Sequence, residues 1–169
     1  MNPLLKDIFA EAALVVSQAN EKNIRIATAE SCTGGLIGAA ITAISGSSSC
    51  FNGGIIAYDN RVKTEYLHVP TDMIEEHGAV SEQVSCAMAK GVLEALNVDL
   101  AISVTGIAGP SGGSKDKPVG TVWMGLATKD RVTAQLFEFG DIGRNKVRDY
   151  TCYEALKRLH SAVGSMLKN

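Results

Sequence analysis

Three stretches of this 169-residue chain carry side chains suited to nucleophilic, basic or anion-binding chemistry. The first is Glu30-Ser31-Cys32-Thr33-Gly34-Gly35, between a predicted strand, Ile24 to Ala29, and a predicted helix, Thr33 to Ile44. Free N–H groups in the first turn of such a helix, with the dipole behind them, favour an anion such as phosphate. Ser31 and Thr33 add hydroxyls, and Gly34 and Gly35 let a ligand approach the backbone. A capped turn that binds nothing has the same composition, because the pattern is neither a Walker loop nor GxGxxG. The second stretch, Thr105 to Ser114, also follows a predicted strand and includes Gly106 and Gly109. Two strand ends rich in Gly, Ser and Thr point to one pocket built from two loops and sized for a phosphorylated small molecule. The third stretch, Ser45 to Lys63, offers a hydroxyl cluster, Tyr58 at a strand end and Lys63 on the following helix. A serine that attacks an amide needs a base. Lysine serves only when neutral, which requires a lowered pKa. With Asn60 as the cap, Lys63 falls in the first helical turn, where the dipole disfavours an ammonium. Arg61 adds to that effect and Glu65 opposes it. The competing reading of Lys63 is a solvent-exposed surface lysine. Arg144 and Arg148 are a fourth feature: guanidinium forks recognise phosphate, although two arginines four apart also make an ordinary solvated face.

These residues need elements to hold them. Leu4, Leu5, Ile8, Phe9, Ala12, Val15 and Val16 recur at helical spacing, which predicts a helix over about residues 4 to 20. Gly54 to Tyr58 reads as a second strand, followed by short helices ending near His68 and Gly78. Ser81 caps a longer helix, Glu82 to Leu96, and Leu100 to Thr105 reads as a central strand. Val119 to Ala127 and Val132 to Phe139 form a predicted hairpin, and a helix over 143 to 167 closes the chain. Alternation of strands and helices followed by an antiparallel pair predicts one domain over residues 1–169, an α/β fold. Its expected architecture is a three-layer α/β/α sandwich with a mixed, mostly parallel sheet. In such sheets ligands bind beyond the carboxyl ends of the strands, where the unusual residues fall.

Composition excludes several classes. Sixteen Lys and Arg against eighteen Asp and Glu leave a net charge of −2, so no basic field for nucleic acid is expected. The apolar stretch from Leu36 to Ile44 is too short for a bilayer crossing. Asp7 and Glu11 interrupt any secretory pattern, and the expected location is cytoplasmic. The four cysteines form no CxxC pair and have no His at metal-ligand spacing, so they read as reduced thiols. Cys86 and Cys152 sit in helical patterns as small apolar residues; Cys32 lies in the glycine turn without a partnered His.

The ordered boxes AESCTGG (Ala29 to Gly35), Gly46-Ser47-Ser48, Gly78-Ala79-Val80-Ser81, TGIAGP (Thr105 to Pro110) and Lys117 to Trp123 span nearly the whole chain. With them the sequence resembles the CinA C-terminal domain family, whose characterised members are nicotinamide mononucleotide amidases. The resemblance implies hydrolysis of the carboxamide of nicotinamide mononucleotide to nicotinate mononucleotide and ammonia, in pyridine nucleotide salvage, with no metal or cofactor. It implies Ser48 as nucleophile, with Ser31 as the competing hydroxyl, Lys63 as general base and Tyr58 as the residue assisting proton transfer. Substrate contacts carried over are Ser31, Thr33, Gly34, Gly35, Thr105, Gly106 and Gly109, with Arg144 on phosphate or ribose. Ser49 to Gly54 and Asp59 to Val62 depart from the family pattern. Some relatives carry an additional N-terminal pyrophosphatase domain, and this chain reads as a stand-alone form, with a homodimer compatible with its size. The alternative expectation is a catalytically silent nucleotide-binding module that regulates a partner in competence or DNA-damage responses.

Overall fold

Strand β1 (Ile26–Glu30) is buried along its whole length, and its alternation sorts two cores. Ile26 joins an apolar cluster on one side of the sheet, and Ala27 and Ala29 join a second cluster on the other. The computed structural model describes residues 3–167. It is the expected three-layer sandwich, built on one five-stranded sheet of order β2-β1-β3-β4-β5. The other strands are β2 (Phe51–Ile56), β3 (Leu100–Gly106), β4 (Thr121–Thr128) and β5 (Val132–Glu138). β1 pairs in parallel with both β2 and β3, whereas β4 runs antiparallel to β3 and to β5. Four strands therefore point one way and β4 alone the other.

Helices α1 (Pro3–Lys22), α2 (Leu36–Thr42) and α6 (Arg144–Ser165) supply the first core. In α1, Ile8, Ala12, Val15, Val16 and Ala19 form one buried stripe at helical spacing. At the far end of α6, the Lys22 ammonium donates to the carbonyls of Val163, Gly164 and Met166 at 2.9, 2.6 and 2.7 Å. These hydrogen bonds satisfy orphan acceptors of that helix terminus. Helices α3 (Asn60–Leu67), α4 (Thr71–His77) and α5 (Glu82–Ala95) cover the opposite face. That face of the sheet is lined by Ala27, Ala29, Ala101, Ser103, Gly125 and Ala127, so α5 lies close against it. A Cβ added at Gly125 would stand 2.3 Å from the Ser85 carbonyl oxygen.

Strand order places a topological switch at β1: the chain leaves it on one side toward β2, then crosses to its other side for β3. Segments following β1 and β3 diverge there, opening a crevice at their carboxyl ends. Residues 33–35, predicted as part of α2, instead form a turn before Leu36. Gly34 and Gly35 have φ of 62° and 95°, a left-handed backbone that a regular helix excludes. β2 begins at Phe51 rather than Gly54 and ends at Ile56. Among the described residues, no helix is long and apolar enough to cross a membrane.

Candidate active site

Past the end of β1, the alternation that directs Ile26 and Thr28 toward α2 carries Glu30 to the same side and leaves Ser31 facing α3. Ser31 is held by its own backbone. Its N–H donates to the Val104 carbonyl of β3 at 3.0 Å, and its carbonyl accepts from the Gly34 N–H at 3.1 Å. Its side chain meets Lys63. The Lys63 Nζ lies 3.3 Å from Ser31 Oγ, 2.8 Å from the Ala57 carbonyl oxygen and 3.2 Å from the Tyr58 carbonyl oxygen.

Lys63 is only 1% exposed, so the surface-lysine reading fails. Burial pushes its pKa below the usual 10.5, while Asp59 acts against that shift. Desolvation is the largest cause, whereas Arg61, expected from sequence to add to the effect of the helix dipole, projects into solvent and pairs with Glu65 at 3.8 Å. The cap of α3 is Asp59 rather than Asn60, its carboxylate accepting from the Arg61 N–H at 2.8 Å. In the neutral amine, two N–H bonds point at the two carbonyls. The remaining tetrahedral direction, the lone pair, then faces the serine hydroxyl. That is the arrangement a general base needs.

The opposite face of the same turn holds an anion that belongs to the protein. Glu30 is 1% exposed. Its Oε2 accepts from Thr33 Oγ1 at 2.6 Å, Gly35 N at 3.0 Å and Ile37 N at 3.0 Å. Its Oε1 accepts from Gly38 N at 2.8 Å and Thr28 Oγ1 at 3.3 Å. This works against Thr33, Gly34 and Gly35 as substrate contacts: the Thr33 hydroxyl and the Gly35, Ile37 and Gly38 N–H groups are taken by Glu30, and the Gly34 N–H by Ser31. Glu30 stands in the first stretch, where its spacing alone suggests no role. Its place at the last inward position of a buried strand, just before a helix start, is the signal that identifies it.

A cavity of about 190 Å³ opens over the Ser31–Lys63 pair, lined by both and by Cys32, Tyr58, Asn60, Ala79, Val80, Thr105, Gly106, Ala108 and Arg144. Thr105 holds the Ala79 wall, its hydroxyl donating to the Ala79 carbonyl at 2.8 Å. Tyr58 stands on the rim, 61% exposed, and meets Lys63 through its carbonyl rather than its phenol. Its phenolic oxygen accepts from Arg144 at 3.1 Å, and the same guanidinium donates to the Gly109 carbonyl at 2.9 Å. Arg148 turns away to the Thr33 carbonyl at 2.8 Å. Burial pushes the Cys32 thiol up to about 12, so it stays protonated beside the serine. Among the described residues, no three His, Cys, Asp or Glu side chains gather as metal ligands would.

Ser48 is not brought to this cavity. It lies exposed in a single 3-10 turn, Ser47–Ser49, that precedes β2. Because Phe51 pairs with Ile26 and Ile56 with Glu30, Ser48 and Lys63 sit at opposite ends of the sheet. They are separated by roughly the length of β2, about 20 Å. Pairing Ser48 with Lys63 is therefore corrected in favour of the competing hydroxyl, Ser31.

A family model described as the CinA C-terminal domain matches residues 9–163. A CinA-like protein of Geobacter sp. (strain M21) is 52% identical over 142 residues, covering 83% of this chain and 34% of its own. One from Parasynechococcus marenigrum is 46% identical over 149 residues, 88% of this chain and 36% of its own. The chain thus spans about a third of the length of these curated relatives. Among solved structures, the competence/damage inducible protein CihA from Agrobacterium tumefaciens superposes with a TM-score of 0.91 at 39% identity, covering 94% of this chain and 96% of that one. The CinA superfamily protein KP700603 from Klebsiella pneumoniae 700603 superposes at 0.89 with 28% identity, covering 94% and 99%.

Proposed function

We propose that this chain, which belongs to the CinA C-terminal domain family, hydrolyses the carboxamide of nicotinamide mononucleotide through Ser31 and Lys63. The observation carrying this reading is the buried amine 3.3 Å from Ser31 Oγ, with two carbonyls placed to take its hydrogens. Ser31 Oγ attacks the carboxamide carbon and passes its proton to the neutral Lys63 amine. The oxygen of the tetrahedral intermediate accepts from the backbone N–H of Cys32, next to the nucleophile and on the cavity wall. Lys63 then gives its proton to the departing nitrogen, releasing ammonia and leaving an ester on Ser31. Water, deprotonated by the same lysine, attacks that ester; Lys63 returns that proton to the departing serine oxygen, and the acid product gives its remaining proton to solvent and leaves as the carboxylate.

The walls support a flat ring with a polar tail. Ala79, Val80 and Ala108 present small apolar surfaces, and Arg144 offers its guanidinium at the mouth for phosphate or ribose. Tyr58, held by Arg144, orients the substrate at the rim; its phenol stands away from Lys63, so the proton-transfer role implied by the resemblance is not carried over. The reaction so described is salvage of a pyridine nucleotide and uses no metal or cofactor. The protein is expected to work in the cytoplasm, as a homodimer or alone, without nucleic acid or membrane.

The test is ammonia release from nicotinamide mononucleotide without added metal. Ser31→Ala and Lys63→Met should each lower turnover by about a thousandfold or more, and Ser48→Ala should leave it within about twofold. Full activity in Ser31→Ala would end this assignment. A thermal shift with nicotinamide mononucleotide but no ammonia from the unmodified protein would favour the silent nucleotide-binding module instead.

A further inference from the structure

We propose that Glu30 is a positioning residue for this reaction, an internal carboxylate that fixes the distance between Ser31 and Lys63. The inference rests on the Ser31–Lys63 reading above and deepens it. Glu30 occupies a junction from which both reacting groups are held. Through its side chain it draws in five neutral donors from Thr28, Thr33, Gly35, Ile37 and Gly38. That ties the start of α2 to the end of β1 and bends the chain sharply at Ser31. Through its main chain it acts on the base. The Glu30 carbonyl accepts from the Ala57 N–H at 2.8 Å, and the Ala57 carbonyl in turn accepts from Lys63 Nζ at 2.8 Å. One residue thus anchors the turn that carries the nucleophile and the peptide that carries the acceptor of the base.

A neutral capped turn would need no carboxylate at this place. Burying one beneath five donors is costly unless the geometry is satisfied throughout, and here both oxygens are. The arrangement also separates two tasks that sequence alone merges. The α2 terminus is taken by an internal anion, and the cavity on the other side of Ser31 stays open to substrate. Removal of the anchor therefore leaves the substrate walls, Ala79, Val80, Tyr58 and Arg144, where they are. The loss falls on the chemical step.

The experiment compares Glu30→Gln, Thr33→Val and Thr33→Ser with the unmodified chain in steady-state hydrolysis of nicotinamide mononucleotide. A carboxamide supplies one acceptor oxygen where the site needs two, so Glu30→Gln should lower kcat by about a hundredfold, the loss a misplacement near 1 Å brings. KM should stay within about threefold. Thr33→Val removes one donor without changing shape and should lower kcat about tenfold, while Thr33→Ser restores it. A folded Glu30→Gln protein with kcat within about threefold of the unmodified chain, or with its loss confined to KM, overturns the proposal. Should Glu30→Gln not fold, the threonine pair decides: equal kcat in Thr33→Val and Thr33→Ser overturns it, and the split supports it. If the unmodified chain releases no ammonia, the amidase reading fails on its own. The rate at which a fluorophosphonate labels Ser31 then tests Glu30 separately, with about a hundredfold slowing in Glu30→Gln supporting the anchor and an unchanged rate overturning it.

Discussion

Lys63 sets the pH behaviour of the proposed reaction. The reactive form is the neutral amine, so turnover rises with pH through the lysine's pKa, which burial places below 10.5. Asp59 raises that pKa while also capping α3. Asn caps a helix as well as Asp does, so Asp59→Asn keeps the cap and removes the charge. The rising limb of kcat/KM against pH should move to lower pH in Asp59→Asn, and a limb that stayed in place would remove Asp59 from the electrostatics of the site. Sequence spacing could show that a serine and a lysine were candidates but not which pair would meet. Ser48 and Lys63 are near in sequence and far apart in space, because β2 runs between them. Ser31 and Lys63 meet because β1 and β2 are parallel neighbours, so that the segments after each strand emerge at the same end. The cap was misplaced by one residue for a simpler reason: Asp59 and Asn60 are both good caps, and only the extended backbone at Asp59 distinguishes them.

At the scale of elements, the placement of α3 against α5 determines where the amine sits. A Cβ added at Gly91 of α5 would stand 2.0 Å from the Leu67 carbonyl oxygen and 2.7 Å from its carbon. Those are backbone atoms at the end of the helix that bears Lys63, so Gly91→Ala must displace α3 rather than rotate a side chain. Overpacking of this kind costs about 1–3 kcal/mol. The urea midpoint should fall accordingly, and turnover should fall with it although no atom of the site has been altered. Normal turnover in a destabilised Gly91→Ala would show that α3 moves without carrying the amine. The long elements were legible because their apolar residues recur at one clear period, as in the buried stripe of α1. Short ones were not. β2 lies at the sheet edge with burial alternating along it, so Phe51 and Asn52 read as loop while the apolar run after Gly54 drew the expected strand too far. The start of α2 was set too early because two glycines at positive φ look, in a one-dimensional reading, like the small residues of a helix start.

Across the molecule, the cavity draws on segments from both faces of the sheet: the turn after β1, the α3 helix, the end of β3 and the first turn of α6. The three-layer arrangement and the position of the candidate cavity at carboxyl strand ends were readable from the order of elements alone, since the crossover at β1 leaves one natural crevice. What order could not convey was the division of labour between the two sides of that crevice. The α2 terminus, the obvious phosphate site from composition, is filled by Glu30, which leaves Arg144 as the cation at the mouth. Arg144 bridges Tyr58 and Gly109, and α6 is secured at its other end by Lys22, so the guanidinium is presented from a helix fixed along its length. A phosphate drawn to that fork would bind with the strength of a charge-assisted contact. Arg144→Ala should therefore raise KM for nicotinamide mononucleotide by about tenfold or more, while kcat/KM for nicotinamide riboside, which lacks the phosphate, changes by less than about threefold. Equal losses on both substrates would mean that Arg144 serves the rim through Tyr58 alone and that the phosphate is held elsewhere.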